Sequence, residues 1–416
     1  MSVSSVPIPQ SKTTEGGSSS KRIMSIDALR GFDMIWILGA GTFVQGVAHV
    51  SHGAFAAFVD RQLEHVAWEG FHFYDLIYPL FVFLVGVSIV LSFESTRRIR
   101  SKRQLITRIL RRGCVLFLLN FIFNGGFAYH WPHMRVASGV LALIAASYVI
   151  AALLYVFLAD KLKVLAAVWL ALLLGYWALL GLTPFPNFHL DKVTVENLAA
   201  RAGSHDPKDI AAMVPERISG VYDEGRNFSN YVDFRFMPGR LLNGYYESQG
   251  LLSPITGAAV CLLGVFAGRL LIAGAFEPRK KVLILAVSGV AAIAVGLGWA
   301  EVFPIVKKLW SSSFCLVAGG CSALLLATFY YIVDVRQWRR WCVPFVWVGM
   351  NPIVLYVLSS LVDFHRIAER VAGGDVKDFF DRQSAGTGSA VQSLAAFLVV
   401  LLLARFLYQR KIFLKV

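Results

Sequence analysis

The chain has 416 residues, of which 56% are hydrophobic and 16% are charged, and its formal net charge is +14. Soluble domains are nearer half apolar and a quarter charged, whereas apolar runs of about 18 residues or more recur along this chain. The composition excludes a soluble domain with a single anchor and predicts an all-α polytopic membrane protein.

Residues 1–21 are polar and rich in Ser, Gly and Thr. They contain no apolar core and no cleavage pattern, so they do not resemble a signal peptide. We predict a disordered cytoplasmic tail over 1–21, followed by one transmembrane domain over 22–416.

Hydropathy then predicts a bundle of about ten transmembrane helices. The predicted spans are 26–48, 71–93, 113–127, 140–158, 163–183, 249–272, 282–303, 313–334, 341–360 and 392–409. Arg and Lys cluster at 95–112, 277–281, 336–340 and the C-terminus, all on the side of residues 20–22. By the positive-inside rule, this side and both chain termini are cytoplasmic.

Lys307 and Lys308 are the one conflict with this orientation, because they lie on the opposite side. The basic surface also suits anionic lipid or an anionic substrate, and we expect no nucleic-acid partner. The outer side holds the long loops, of which 184–248 is the largest. None of the five cysteines falls in an outer loop, so the sequence indicates no disulfide framework.

The stretch that enters the second span carries His65, Glu69, His72 and Asp75. If it is helical, the first three share one face and Asp75 follows one turn later. Three interpretations stay open at this point: a polar helix start, a zinc-like ligand set, or acid–base chemistry in which a carboxylate orients a histidine.

Two further polar clusters fall inside predicted spans. Asp27, Arg30 and Asp33 lie within two turns of the first span. An Arg at such a depth costs on the order of 2.5–3.5 kcal/mol, so we expect Arg30 to pair with Asp27. It is either a snorkelling residue or an anchor for an anionic ligand. Asn351 and Pro352 interrupt a later span, which predicts a kink or a polar contact inside the bundle.

Five ordered motifs make the chain resemble the heparan-alpha-glucosaminide N-acetyltransferase family, within a wider group of transmembrane acyltransferases. They read SIDALRGFDM, HVAWEGFHFYDLIYPLFVFLVGVSI, NYVDFRFMPGRLLNGYYESQGLLS, KKLWSSSFCLVAGG and WVGMNPIVLYVLSS. The resemblance implies a bundle whose central pore holds acetyl-CoA, transfer of acetyl to the amine of a terminal glucosamine across the membrane, and a homodimer. No metal is expected.

The resemblance also implies site residues. The family's active-site histidine falls on His65, with Asp75 and Glu69 as candidates to orient it. Arg30, with Asp27, is a candidate for the CoA phosphates, as are Arg108, Arg111 and Arg112. Gly41 stands where the family's lysosomal member has an Asn, and Gln45 is among the polar side chains nearest to that position. The expected substrate-binding or pore-lining residues are His72, Gln45, Trp68 and Asn351.

We therefore expect an acetyl-CoA-dependent transmembrane N-acetyltransferase acting on a periplasmic glucosamine or glucosamine-containing saccharide, in a bacterial inner membrane. Two alternatives stay open. One is an inner-membrane carrier for amino sugars that transfers no acyl group, and the other is an O-acyltransferase of a surface polysaccharide. His65 acts either as a general base or as a transient acyl acceptor.

Overall fold

The computed structural model describes residues 23–51, 53–97 and 99–413, so the predicted tail at 1–21 lies outside the described residues. The first part of the described chain is a run of seven α-helices. They are α1 (Met24–Ile35), α2 (Gly41–Val50), α3 (Ala54–Gln62), α4 (Phe73–Thr96), α5 (Lys102–Phe123), α6 (Val140–Leu158) and α7 (Leu162–Leu182).

A small mixed segment separates α7 from the second helical run. It contains two short antiparallel strand pairs, β1 with β2 and β3 with β4, and three helices that share a small apolar core. Its elements are β1 (Phe185–Pro186), α8 (Lys192–Ala202), α9 (Pro207–Ala212), β2 (Arg217–Ile218), β3 (Tyr222–Asp223), β4 (Arg226–Asn227) and α10 (Phe228–Phe236).

The remainder of the described chain is helical again. The helices are α11 (Ser253–Ile272), α12 (Pro278–Trp299), α13 (Ser312–Phe329), α14 (Val343–Gly349), α15 (Pro352–Leu361), α16 (Phe364–Ala372), α17 (Asp375–Gln383) and α18 (Thr387–Gln409). Short π segments lie at Trp36–Ala40 and Tyr330–Val335, and single 3₁₀ turns at Gly126–Ala128, Lys307–Leu309 and Arg340–Cys342.

Eight helical segments of the described chain are long and apolar enough to cross a membrane, and a ninth results if the bent pair 340–349 and 352–361 counts as one span. Each of them overlaps a predicted span, so the prediction of an all-α polytopic membrane protein is confirmed. The remaining predicted span, 113–127, overlaps the C-terminal half of α5, which begins earlier, at Lys102, within the basic cluster. Because its first half is basic, α5 is not among the eight segments that are apolar enough to cross a membrane.

Helices α4, α11 and α13 form the centre of the bundle. In the apolar 18-residue stretch of each of these spans, between 67% and 72% of the residues are buried. The corresponding share is 17–22% for α7, α12 and α18. Glycine permits the tightest central contact, because a Cβ at Gly86 would collide with the Cys261 carbonyl of α11, and one at Gly264 with the Phe83 carbonyl of α4. The small residues at Gly264 and Gly268 thus serve helix packing, as the sequence indicated.

Two spans are interrupted where the sequence permits it. The first span breaks in its π segment, where Gly39 has a φ of 122°. The predicted kink at Asn351 and Pro352 is confirmed, because α14 and α15 meet there at 63°. Proline supplies no backbone N–H to continue the first helix, so the chain changes direction at this point.

The alternation of the spans gives the bundle two ends. We call the end that carries Met24, Lys102, Pro278 and Val335 the basic end. The opposite end carries the 63–72 loop, the mixed segment and residues 300–311, and we call it the His65 end. Asp334 closes the start of α1 at the basic end, where its carboxylate accepts from the backbone N–H groups of Met24 and Ser25 at 3.3 and 3.0 Å.

Candidate active site

The approach to α4 is a loop, so the predicted helical face of His65, Glu69 and His72 is wrong. Helix α4 begins at Phe73, and His72 is its N-cap with an extended backbone. The loop is joined instead to a distant segment. Gly70 N donates to the Ile305 carbonyl at 2.9 Å, and Glu69 forms an antiparallel bridge with Val306. Gly70 has a φ of 127°, which favours glycine and sets the loop away from a helical path.

This loop nevertheless brings His65 and Asp75 together. His65 Nδ1 lies 2.8 Å from Asp75 Oδ1, and Lys307 Nζ lies 3.1 Å from the same carboxylate oxygen and 2.9 Å from His65 Nδ1. The side chain of His65 is 54% exposed, that of Asp75 is 1% exposed and that of Lys307 is 15% exposed. A buried carboxylate thus holds an accessible imidazole and a mostly buried ammonium.

Asp75 is held by four donors. Besides His65 and Lys307 on Oδ1, the backbone N–H groups of Val66 and His72 donate to Oδ2 at 3.3 and 3.1 Å. Two of these donors belong to the loop, so the carboxylate also fixes the loop backbone. Four donors match the acceptor capacity of an ionised carboxylate, and an ionised acceptor strengthens each bond.

The geometry permits two hydrogen-bonding states of His65. If Nδ1 carries the proton, it donates to Asp75 and leaves the Nε2 lone pair available as a base. If Lys307 donates to Nδ1, the neutral ring carries its proton on Nε2 and cannot accept another there. Because Asp75 has no proton to offer while it is ionised, its contact with Nδ1 favours the first state.

The position of Lys307 is set by the turn around it. Lys307 begins a 3₁₀ turn that ends at Trp310, a residue with a left-handed φ of 54°. The Tyr176 hydroxyl donates to the Leu309 carbonyl at 2.5 Å, and Val306 N donates to Ser311 Oγ at 3.0 Å. Burial lowers the pKa of Lys307 below that of an ordinary lysine, and the neighbouring Asp75 partly restores it.

A cavity of about 230 Å³ opens beside these groups, and we call it the His65 cavity. Its polar side chains are His65, Lys307, Gln249 and three tyrosines, and the rest of its wall is apolar. Two of the tyrosine hydroxyls are already engaged, since Tyr78 donates to the Val140 carbonyl at 2.8 Å and Tyr74 to the Trp36 carbonyl at 3.5 Å. Such a site, apolar with a few convergent polar groups, is typical of small-molecule binding.

A second cavity, of about 770 Å³, lies toward the basic end, and we call it the arginine cleft. All four arginines predicted to meet a phosphate line it: Arg30, Arg108, Arg111 and Arg112. Arg30 also donates to Ser88 Oγ at 2.8 Å and contacts Asp27 at 3.4 Å, so the predicted Asp27–Arg30 pair is confirmed. Arg112 Nε is buried and has no hydrogen-bond partner among the described residues.

The two cavities adjoin inside the bundle. Phe81 and Ile353 line both of them, so these two side chains form the partition between the His65 cavity and the arginine cleft. Helix α4 runs along both, with Asp75 at one end and Ser88 at the other. The 13 helical steps from Asp75 to Ser88 correspond to about 20 Å of helix. The line of cavities therefore crosses much of the bundle and has polar groups at both ends.

Four other predicted site residues, Glu69, His72, Trp68 and Gln45, are not among the described residues that line the His65 cavity or the arginine cleft. Glu69 is exposed and bridges Val306 through its backbone. His72 caps α4, and its Nδ1 contacts the Glu64 carbonyl at 3.0 Å. Trp68 Nε1 donates to the Tyr222 carbonyl at 2.8 Å, and Gln45 Nε2 to the Leu63 carbonyl at 3.5 Å.

Asn351 lies at the kink, and its Nδ2 donates to the Ile412 carbonyl at 2.8 Å. Its neighbours Met350, Pro352 and Ile353 form the wall of the arginine cleft. Asn351 is not among the described residues that line the cleft, so its predicted pore-lining or substrate-binding role stays a prediction.

Sequence reasoning missed Lys307 and Gln249. Lys307 was seen only as an exception to the charge pattern, although it opens the KKLW motif. Gln249 is a non-glycine residue with a φ of 65°, and its N–H donates to the Lys308 carbonyl at 2.8 Å. A strained backbone at a cavity wall is often found at functional sites, but the sequence alone does not reveal it.

The backbone after Gln249 is pinned by a buried carboxyl group. Leu251 N donates to Asp233 Oδ1 at 2.8 Å, and any Cβ at Gly250 would collide with the Asp233 carboxyl. Asp233 Oδ2 is buried, and the described part of the chain gives it no hydrogen-bond partner. Burial raises the pKa of Asp233 to about 7, and the nearby Glu247 contributes to the rise.

The ligand set for a metal does not assemble around His65. Within the described ranges, no three His, Cys, Asp or Glu side chains are grouped so that they could hold a metal ion. The third partner at His65 and Asp75 is an ammonium group, which repels a cation. The arrangement suits proton transfer at an oriented imidazole beside a fixed positive charge.

Comparisons with protein families and with curated proteins give the same family name. A family model described as heparan-alpha-glucosaminide N-acetyltransferase, catalytic, matches residues 22–192. The heparan-alpha-glucosaminide N-acetyltransferase of Homo sapiens is 26% identical over 450 aligned positions, which cover 95% of this chain and 60% of the human protein. The Mus musculus protein of the same name is 25% identical over 435 positions, which cover 96% of this chain and 61% of the mouse protein.

The chain thus spans about three fifths of the length of the curated relatives it matches. The matched family region contains His65, Asp75 and all four arginines of the cleft, whereas Lys307 and Gln249 lie beyond it. The comparisons confirm that this chain resembles the heparan-alpha-glucosaminide N-acetyltransferase family, as its five motifs predicted.

Proposed function

We propose that this protein is a transmembrane N-acetyltransferase. It takes acetyl from acetyl-CoA held at the basic end and transfers it to the amine of glucosamine, or of a glucosamine-containing saccharide, at the His65 end. The relatives' names support the reaction class and the amino-sugar acceptor. The observation that carries the proposal is the pair of adjoining cavities, one lined by four arginines and the other by His65.

The arginine cleft fits the donor's phosphates. Guanidinium groups bind phosphate oxygens through paired charge-assisted hydrogen bonds, and four of them line this cleft. Arg30 has its own protein contacts, which hold the guanidinium in the cleft wall. Acetyl-CoA supplies an activated thioester on a long flexible arm, which suits a path past Phe81 and Ile353 toward His65.

His65 acts as the general base in this proposal. Asp75 accepts from Nδ1, so Nε2 accepts the proton that the amine nitrogen loses as its bond to the acyl carbon forms. The carbon–sulfur bond breaks, and the protonated imidazole returns a proton to the leaving thiolate. Because the acceptor begins as an ammonium ion, each cycle releases one net proton together with the amide and free CoA.

The basic cleft marks the cytoplasmic side in this proposal, following the positive-inside rule, and the acceptor amine lies across the membrane. We place the protein in a bacterial inner membrane and expect a homodimer. The test is acetyl-CoA consumption by purified protein in detergent or nanodiscs. Free CoA should appear when glucosamine is added and should match the N-acetylglucosamine formed. A protein that binds acetyl-CoA but never releases CoA with any amino sugar would contradict the proposal.

A further inference from the structure

Lys307 shares the His65 cavity with the proposed base but comes from a different part of the chain. Its Nζ lies 2.9 Å from His65 Nδ1 and 3.1 Å from Asp75 Oδ1. The ammonium group thus lies beside the groups that take part in the proposed transfer, and the inference drawn here rests on the proposed function.

We propose that Lys307 is a second catalytic residue, whose ammonium group binds the acyl oxygen and stabilises the negative charge that develops there during transfer. In bond terms, the amine nitrogen bonds to the acyl carbon, the carbonyl π electrons move onto oxygen beside Nζ, and His65 Nε2 takes the amine proton. The electrons then return, and the carbon–sulfur bond breaks. Lys307 keeps its proton throughout.

The hydrogen-bonding state of His65 leaves Lys307 free to do this. A lysine ammonium carries three donors, and Asp75 accepts one of them. When His65 Nδ1 donates its own proton to Asp75, it has no lone pair for Lys307. The remaining two N–H groups of Lys307 then have no partner on the imidazole, and Lys307 is among the residues that line the cavity.

The cavity makes a fixed cation effective. Among the described residues of its lining, Lys307 is the only Lys or Arg, and the wall is mostly apolar. Charge stabilisation is strongest where water is excluded and the donor is held in place before reaction. The turn that holds Lys307 meets the second condition, because it is fixed by the Tyr176 and Ser311 hydrogen bonds and by the Val306 bridge. The side chain of Lys307 is itself only 15% exposed.

The test compares three single variants with the wild type. Lys307→Met removes the charge and keeps an unbranched side chain, and Lys307→Arg keeps the charge. Lys308→Met is the matched control, since Lys308 is adjacent in sequence but pairs with Glu224 at 2.6 Å and lies over the Trp68 ring. Initial rates of CoA release are measured at several acetyl-CoA and glucosamine concentrations.

Removal of one oxyanion donor typically lowers kcat by about 10²–10³-fold. We expect that loss for Lys307→Met, with each KM within about threefold of the wild type, because the acyl oxygen gains its charge only during transfer. Lys307→Arg should recover part of the rate, and Lys308→Met should match the wild type. A kcat for Lys307→Met within threefold of the wild type would overturn the inference.

The pH dependence of kcat distinguishes the effect of the Lys307 charge from the effect of its side-chain shape. It does so even in a variant that is partly destabilised. The ionisable groups that face Lys307 are Asp75, His65 and the cavity tyrosines. Burial lowers the pKa of Lys307, so the wild type should lose kcat at alkaline pH before an ordinary lysine titrates. Arginine stays protonated, so Lys307→Arg should hold its own rate to higher pH. Identical alkaline limbs would contradict a charge role for Lys307.

The outcomes distinguish this inference from the proposed function. If the wild type releases no CoA with any amino sugar, the proposed function fails and the role of Lys307 falls with it. If the wild type turns over and Lys307→Met does so equally well, only the role of Lys307 is refuted.

Discussion

Lys307 and His65 are 242 residues apart in the chain, yet Lys307 Nζ lies 2.9 Å from His65 Nδ1. Two loops at the same end of the bundle make this contact, and the bridge between Glu69 and Val306 joins them. Asp75, at the start of α4, holds both side chains on one carboxylate oxygen. The proposed chemistry depends on this three-residue cluster, and each member has a distinct role to test.

The first prediction concerns the base. Replacing His65 by Ala removes the group proposed to take the amine proton, and general base catalysis is typically worth about 10²–10⁴-fold. Single-turnover CoA release should fall by that order, while acetyl-CoA affinity, measured by calorimetry, stays near the wild-type value. His72→Ala is the matched control and should cost less turnover, since it removes the side-chain contact with the Glu64 carbonyl and keeps the backbone N–H that donates to Asp75. Equal losses in the two variants would remove His65 from its assigned role.

The second prediction concerns the orientation of the imidazole. In Asp75→Asn, the new amide can donate to His65 Nδ1, which would put the imidazole proton on Nε2 and block its action as a base. We expect kcat to fall by about 10²-fold or more, with acetyl-CoA affinity retained. The variant also leaves the Lys307 ammonium without its anionic partner, so the melting temperature should fall as well. Asp75→Glu, which keeps the charge, should recover part of the rate; an Asn variant as active as the wild type would refute the orienting role.

Several of these features were predictable from sequence because they depend on composition over long windows. The apolar spans follow directly from hydropathy, and the pairing of Arg30 with Asp27 follows from their spacing on α1. The local path from His65 to His72 was not predictable in this way. Its residues share a helical period, but Gly70 and the backbone bond to Ile305 draw them into an extended loop.

The same limit explains why Lys307 was missed. Its contact with His65 depends on two loops meeting across the end of the bundle, and no periodic pattern records that. In the charge pattern, Lys307 is only a basic residue on the side opposite the other basic clusters. Arg108, Arg111 and Arg112 were found because a basic cluster is visible in sequence, yet their convergence with Arg30 on one cleft depends on how distant helices pack together.

The third prediction concerns donor binding. Arg111→Met removes one cation from the arginine cleft and should weaken CoA affinity at least about tenfold, because a hydrogen bond to a charged group contributes about 1.5–3 kcal/mol. The loss should shrink at high salt, as expected for phosphate contacts. Arg279→Met is the matched control, since Arg279 lies exposed in another basic segment at the same end. Calorimetric titration with CoA decides the matter, and equal affinities for the two variants would contradict the assignment.

The fourth prediction concerns the partition between the cavities. Phe81→Trp adds bulk at the residue that lines both, which should hinder passage of the thioester arm toward His65. Turnover should fall by more than tenfold, while the affinity for adenosine 3′,5′-bisphosphate, which carries part of the nucleotide end of the donor and no arm, stays unchanged. Phe81→Leu places a smaller side chain at this position and should retain turnover. If Phe81→Trp is fully active, the donor does not pass this partition.

The fifth prediction concerns stability and Asp233. An ordinary Asp has a pKa of about 3.9, whereas burial raises that of Asp233 to about 7 in the folded protein. Between these values the folded state binds the proton more tightly, so Asp233 lowers stability as pH rises from about 4 to 7. Asn at this position mimics the neutral acid. The melting temperature of Asp233→Asn, relative to the wild type, should therefore increase with pH over this range; a constant difference would show that Asp233 is already ionised in the folded protein.

The central claim is that acetyl crosses the bundle from the arginine cleft to His65, and vectorial transfer tests it most directly. Protein is reconstituted into sealed liposomes, its orientation is measured by protease protection, and acetyl-CoA labelled in the acetyl group is supplied to one side only. Glucosamine is supplied only to the other side. The account predicts labelled N-acetylglucosamine on the glucosamine side, and only when the donor faces the basic end. Glucosamine that crosses unmodified, with no CoA released on either side, would contradict the account and identify a carrier.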